Sequence, residues 1–163
     1  MAAGATTRRI LGIDPASVTT GWALVEEGPS LVDAGTIQIN SRKSLDERLL
    51  LFREKLGELL VATSPDIVVA ESPHIFRMSA AAALYQVRAM VLATVYDHQI
   101  PLHFITPKSA REKALGNGAA TKADVQKHMH QLFHVKLGED AADAACLALA
   151  MLDELDAYAR ADA

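Results

Sequence analysis

The amino-acid sequence predicts an α/β fold: a mixed five-stranded sheet with helices on both faces. Three observations predict it. Residues 9–39 contain three apolar runs separated by short turns, the pattern of an antiparallel meander. Beyond residue 44, helix-periodic stretches alternate with two shorter strand-like runs, the order of β-α-β units. The first of those runs contains Ile67-Val68-Val69-Ala70, apolar at every position, as in a strand covered on both sides.

The elements follow in order. Residues 9–14 form a buried strand, and Pro15-Ala16-Ser17 a turn. A second strand spans 20–25, a turn Glu26-Glu27-Gly28-Pro29-Ser30, and a third strand 31–39. Ser44 with Glu47 three positions on is a capping box opening a helix to about residue 62. Leu45, Leu49, Phe52, Leu56, Leu59 and Leu60 recur there at helical spacing. Residues 66–71 are the next strand, 80–97 an apolar helix and 102–105 a last strand. A short helix over 108–115 ends at Gly116-Asn117-Gly118. Thr121 with Asp124 caps a helix to about 133, and the final helix covers 139–158. Nothing repeats and no linker interrupts the pattern. Residues 9–158 therefore read as a single domain, with 1–8 a disordered lead-in and 159–163 a tail.

The chain has 163 residues, enough for one domain with a proper core. Half are hydrophobic and 22% are charged, which is ordinary globular usage. The single Cys146 excludes a disulfide framework and a cysteine-based zinc site, and its alanine and leucine neighbours make it an inert core thiol. Residues 1–5 are too short for the apolar core of a signal peptide, and no window has the ~18 apolar residues of a membrane span, so a cytoplasmic protein is expected. The net charge of −4 is unevenly spread. From Ser72 to Lys136, eight Lys/Arg face only Asp97, Glu112 and Asp124; from Leu137 on, seven acids face only Arg160. A basic nucleic-acid surface beside an acidic metal pocket would be distributed in this way.

Four acids carry the chemistry. Asp14 ends Ile10-Leu11-Gly12-Ile13, Glu71 ends Ile67-Val68-Val69-Ala70, and Asp140 and Asp143 open the Ala/Leu-rich stretch 141–151. An acid in such a place costs desolvation energy unless a cation neutralises it. Asp140 and Asp143 are three apart and share a helix face. Open α/β sheets gather strand-end residues beyond their carboxyl edge, so the four could meet there. Together they make an all-oxygen site for Mg²⁺ or Mn²⁺, and two such ions about 4 Å apart suit in-line attack on a phosphodiester. Taken singly, each acid also fits an ordinary turn or helix-capping role.

Ile10-Leu11-Gly12-Ile13-Asp14-Pro15 with Thr20-Gly21-Trp22-Ala23, then Val69-Ala70-Glu71, then Asp140-Ala141-Ala142-Asp143-Ala144, resembles the RuvC Holliday-junction resolvases of bacteria. The likeness runs from about residue 9 to 151 and includes Tyr85-Gln86-Val87-Arg88 and Leu115-Gly116-Asn117-Gly118-Ala119-Ala120-Thr121-Lys122. It implies a ribonuclease H-like fold and a homodimer that nicks four-way junction DNA symmetrically in recombination and repair. By the resemblance Asp14, Glu71, Asp140 and Asp143 are catalytic metal ligands, with two Mg²⁺ or Mn²⁺ per site. The dimer contact falls on the 80–97 helix, where Ala80-Ala81-Ala82-Ala83 allows close approach. A branch-migration complex is a partner on family grounds alone.

Two positions depart from the family pattern. Ala16 stands where glycine is usual, a mild change if its φ is negative. His74 stands where many members carry an aromatic residue that stacks on an unpaired base, with Phe76 two further on; either has a π face for that task.

Arg111, Lys113 and Lys122 flank the glycine turn, where the backbone can approach phosphate oxygens. By family position Arg111 and Lys122 match lysines tied to catalysis or junction binding, and Arg77 and Lys108 complete the DNA-facing bases. A solvated surface is the plainer account of the same residues. His128, His130 and His134 suggest zinc, but His128 points away from the other two on a helix and no Cys or acid completes a set, so they read as a polar face near DNA.

Rival readings stay open at this point. Sugar kinases and actin-like ATPases share the opening strand, but 163 residues leave no room for a second lobe. Other nucleases of the superfamily, YqgF-like or acting on RNA–DNA hybrids, and a non-catalytic ribonuclease H-like scaffold are the nearer alternatives.

Overall fold

The computed structural model describes residues 7–72 and 78–161, without the side chains of residues 78–81. Its strands are β1 (Arg9–Asp14), β2 (Thr19–Glu26), β3 (Ser30–Gln38), β4 (Ile67–Glu71) and β5 (Leu102–Ile105). Its helices are α1 (Leu45–Thr63), α2 (Met78–Asp97), α3 (Pro107–Leu115), α4 (Lys122–Phe133) and α5 (Glu139–Ala161). They make one mixed five-stranded sheet in the order β3-β2-β1-β4-β5. The meander β1-β2-β3 is antiparallel, whereas β4 lies parallel to β1 and β5 parallel to β4. Among the described residues no helix is long and apolar enough to cross a membrane.

Both expected capping boxes form: Ser44 Oγ accepts from Glu47 N–H, and Thr121 Oγ1 accepts from Asp124 N–H. Strand ends differ from the sequence reading by one residue in β2, β3 and β4, and helix ends differ in α2, α3 and α5. The helix α3 starts one residue early, at Pro107, because proline suits the first helical position and Thr106 caps it. The helix α2 starts at Met78 rather than 80. The helix α5 runs on to Ala161 as an exposed stretch, where no buried face marks its end in the sequence.

The sheet separates two cores. On one face Ile10, Ala23, Val25 and Val69 pack under α3, α4 and α5; on the other Leu11, Ile13, Leu24, Val68 and Ala70 pack under α1 and α2. Strand side chains alternate between faces. Counting from Ile10 and Val69, that alternation sends Asp14 and Glu71 to the α5 face. The register Ile13↔Ala70 then sets them side by side at the carboxyl ends of two parallel strands.

The helix α5 is buried at all twelve positions from Ala141 to Leu152. Small residues make that possible. A Cβ at Gly12 would overlap the carbonyl of Ala144, and one at Gly21 would overlap the backbone of Asp140. Glycines in β1 and β2 thus let α5 sit directly on the sheet, with its first turn beside the end of β1.

Candidate active site

Asp14 is the last residue of β1 and pairs in the ladder with Gly21. Because Gly21 touches the backbone of Asp140, the end of β1 and the first turn of α5 are held together through β2. The turn after Asp14 is closed by Thr20, whose hydroxyl accepts from Ala16 N–H at 3.0 Å and donates to Ala16 carbonyl at 2.8 Å. Arg48 of α1 braces the same turn by donating to Ser17 Oγ at 2.8 Å. Ala16 is not among the non-glycine residues with positive φ (Ser64, Gln99 and His134), so the alanine is accommodated there without strain.

Glu71 ends β4, where Ser72 N–H donates to the Ile105 carbonyl and fixes the strand end. Glu71, Arg111 and Asp143 line one narrow crevice, floored by Cys146 and Leu147. Asp143 is 9% exposed, and Asp14, Glu71 and Asp140 are half-buried.

The electrostatics report the crowding of these groups. Burial first, then the charge of Asp143, pushes the Asp14 carboxyl up to about 6, with Lys122 opposing and Asp140 adding to the rise. Burial, then Asp14 and Asp143, pushes Glu71 up to about 7, with Lys122 and Arg111 opposing. Burial also raises Asp143, again against Lys122 and Arg111. Asp14 and Glu71, distant in sequence, therefore both feel the charge of Asp143 on the α5 face. Lys122 Nζ donates to Glu139 Oε1 at 2.6 Å and lies 3.3 Å from Asp143 Oδ2; the bond to Glu139 is the main cause that holds its ammonium above the ordinary lysine range.

The donor set is all oxygen, partly dry and electrically strained, which is the chemistry a hard divalent cation relieves. Among the described residues no three Asp, Glu, His or Cys side chains form a ready-made ion cage. Carboxylates facing one another repel, and an ammonium lies against Asp143, so ion binding would require these side chains to turn inward.

The remaining expected residues divide. Arg111 faces Glu71 and Asp143. Lys108 is exposed on α3, with its stem beside Gly118, whose N–H donates to Glu112 Oε2 at 2.9 Å. Lys113 is not brought to the acids. It lies 3.7 Å from Glu154 and borders a separate groove by the β2–β3 turn, at the opposite end of β2 from Gly21, which His128 also lines. His134 serves as the left-handed cap of α4. Cys146 is buried, and burial drives its thiol up to about 12, as an inert core cysteine requires. His74, Phe76 and Arg77 lie outside the described residues.

Sequence reasoning missed two contributors. Arg48 looks like any solvent-facing helix residue until the β1–β2 turn folds against it. Glu139 looks like a favourable first-turn acid.

The family model for the crossover junction endodeoxyribonuclease RuvC matches residues 10–152. A RuvC from Trichlorobacter lovleyi is 33% identical over 147 residues, covering 86% of this chain and 83% of its own length. One from Hydrogenovibrio crunogenus is 32% identical over 148 residues, covering 87% and 86%. Among solved structures, Thermus thermophilus RuvC in complex with Holliday junction substrate superposes with a TM-score of 0.80 at 20% identity, over 95% of this chain and 96% of that one. The yeast mitochondrial Holliday junction resolvase Ydc2 does so with 0.70 at 16% identity, over 94% and 82%. These two likenesses establish the shared ribonuclease H-like fold. With four acids gathered on the α5 face of that fold and the family model matched across nearly the whole sheet and its helices, the chain belongs to the RuvC crossover junction endodeoxyribonucleases.

Proposed function

We propose that this protein resolves four-way DNA junctions in recombination and repair, as a cytoplasmic homodimer that hydrolyses one phosphodiester in each of two opposed strands. The observation that carries the reading is the convergence of acids from three elements: the charges of Asp143 and Asp140 raise the proton affinity of Asp14, and those of Asp14 and Asp143 raise that of Glu71.

These carboxylates would hold Mg²⁺ or Mn²⁺, two ions per site. A divalent cation there supplies charge neutralisation at the phosphodiester and acidifies a water molecule. The chain's own residues do the rest. Asp14 and Glu71, fixed at the ends of paired strands, set one wall of the site, and α5 presents Asp140 and Asp143 as the other. Lys122 stands at the rim, where its ammonium meets an incoming phosphate, and Arg111 offsets negative charge beside Glu71 and Asp143. Lys108 extends the positive edge along α3 and recognises backbone rather than sequence. His74, Phe76 and Arg77, in the segment after β4, would contact the junction next to the cut, one of the two rings stacking on an exposed base.

The homodimer reading rests on α2. Its Val87, Val91 and Val95 face the core, while Ala82, Tyr85, Ala89, Leu92 and Tyr96 form an exposed stripe along the opposite side. Such a stripe suits a second copy of the same helix.

The test is cutting of four-way junction, flap, duplex and RNA–DNA hybrid substrates with Mg²⁺ or Mn²⁺. Wild-type protein should cut the junction at paired positions. Asp14→Asn should lose cutting by at least ~10³-fold while retaining junction binding, because the lost group acts on the transition state rather than on DNA affinity. Nicking retained in that variant would refute the assignment of the acids, and preferential cutting of the hybrid would favour a ribonuclease.

A further inference from the structure

Lys122 is the first residue of α4, and the Thr121–Asp124 capping box fixes the backbone from which it extends. Its ammonium is shared between two carboxylates of α5, Glu139 at 2.6 Å and Asp143 at 3.3 Å. Glu139 and Asp143 are four residues apart, so they lie one above the other on a helix face. Their environments are unlike. Glu139 is 53% exposed, whereas the side chain of Asp143 is 10% exposed. One helical turn beyond Lys122, Gln126 Nε2 donates to the Leu137 carbonyl at 3.2 Å, which ties α4 to the start of α5 and keeps Lys122 within reach of both acids.

An exposed ion pair such as Lys122–Glu139 contributes little to stability. Its consequence is geometric. The ammonium has three donors and no acceptor, and it settles where anionic oxygens are closest. With Glu139 present, the outer oxygen draws Nζ to the rim of the site. Without it, Asp143, already 3.3 Å away, is the remaining partner, and the ammonium would be committed to the carboxylate that a cation must bind.

We propose that Glu139 is a positioning residue: it shares the Lys122 ammonium with Asp143 and so weakens the hold of that ammonium on Asp143, which lets a cation displace it there and keeps Lys122 at the rim to meet the scissile phosphate. The inference rests on the reading of the site given above. It assigns a role to an acid outside the set of four, on grounds that depend on α4 lying beside α5.

The test is a double-mutant cycle on the full-length protein, read first by calorimetric titration with Mn²⁺ alone and then by junction cutting. Glu139→Ala should weaken Mn²⁺ affinity on the order of tenfold, the size expected when a neighbour of a metal ligand is lost. In a Lys122→Ala background the same change should have little further effect, because no ammonium remains to compete. Cutting by Glu139→Ala should recover as Mn²⁺ is raised, whereas cutting by Lys122→Ala should stay slow at saturating Mn²⁺. Equal weakening in both backgrounds would overturn the proposal, since Glu139 would then act only as one more negative charge. Unchanged affinity in Glu139→Ala would overturn it as well. A wild-type protein with no saturable Mn²⁺ binding that Asp14→Asn abolishes would instead overturn the underlying reading of the acids, and this inference with it.

Discussion

Asp14 and Glu71 stand at strand ends backed by apolar side chains, where the ionised form loses hydration and faces other anions. With their folded-state values raised to about 6 and about 7, both bind protons more tightly folded than unfolded. Their contribution to stability is therefore fully present below the unfolded carboxyl range near 4 and lost as pH rises through about 6 and about 7. Cation-free protein should lose stability across that window. Glu71→Gln, which removes one of the charges, should be more stable than wild type at pH 7.5 by on the order of 1–3 kcal/mol, and near parity at pH 4. Urea denaturation at both pH values checks this, and a variant less stable at pH 7.5 would count against mutual repulsion at the site. Adding Mn²⁺ should stabilise wild type more than the variant. At this scale the four acids were legible as candidates because Asp14 and Glu71 end apolar runs and Asp140 and Asp143 open one, which solvation alone disfavours. Glu139 was not legible: beside Asp140 it looks like ordinary helix-start charge, and its partner Lys122 is 17 residues away in the chain.

Between elements, the site depends on how closely α5 approaches β1 and β2. Gly12 lies under Ala144 and Ala148, and Gly21 under Asp140, so the backbone of the helix touches the backbone of the strands. Gly21→Ala would force these apart at the residue that carries a proposed metal ligand. A cost of about 1–3 kcal/mol is expected from overpacking, with cutting reduced by more than about tenfold even at saturating Mn²⁺. Thermal melting and a cutting assay on the same preparation separate the two effects, and full activity in a destabilised variant would mean that Asp140 does not depend on this contact. The glycines appear in the sequence as parts of a motif, with no mark of what lies over them. Capping boxes, by contrast, are local devices, and both that the sequence predicts are formed. The start of α3 was missed because Pro107 resembles a helix breaker until Thr106 is known to cap it.

For the molecule as a whole, the proposed single centre per chain and two strands to cut call for two chains. The exposed stripe of α2 is the surface proposed for that pairing, and Leu92, 48% exposed, lies in it. Leu92→Glu should leave the fold intact, since a surface position tolerates charge, while each subunit of a dimer would carry a buried unpaired carboxylate at the interface. Sedimentation should then report a monomer, and paired nicking of junctions should fall with it. A dimer that persists unchanged would remove α2 as the contact. The uneven charge has a structural counterpart in Arg111 and Lys122 beside the acids, although Lys113 is committed elsewhere, near Glu154. That division was hidden in the sequence, because neighbouring residues on a helix point to different sides.

Strand and helix order, the fold class and the capping signals were determined by the sequence by itself, and it singled out the four acids as candidates, since each depends on local periodicity or on the cost of placing charge beside apolar residues. Only the tertiary structure decided which face those acids share, which bases reach them and which acid restrains Lys122. Strand alternation sets a side without naming its occupant. The occupant is set by packing between segments far apart in the chain, here by α5 settling onto glycines of two strands and bringing its first turn to the ends of β1 and β4.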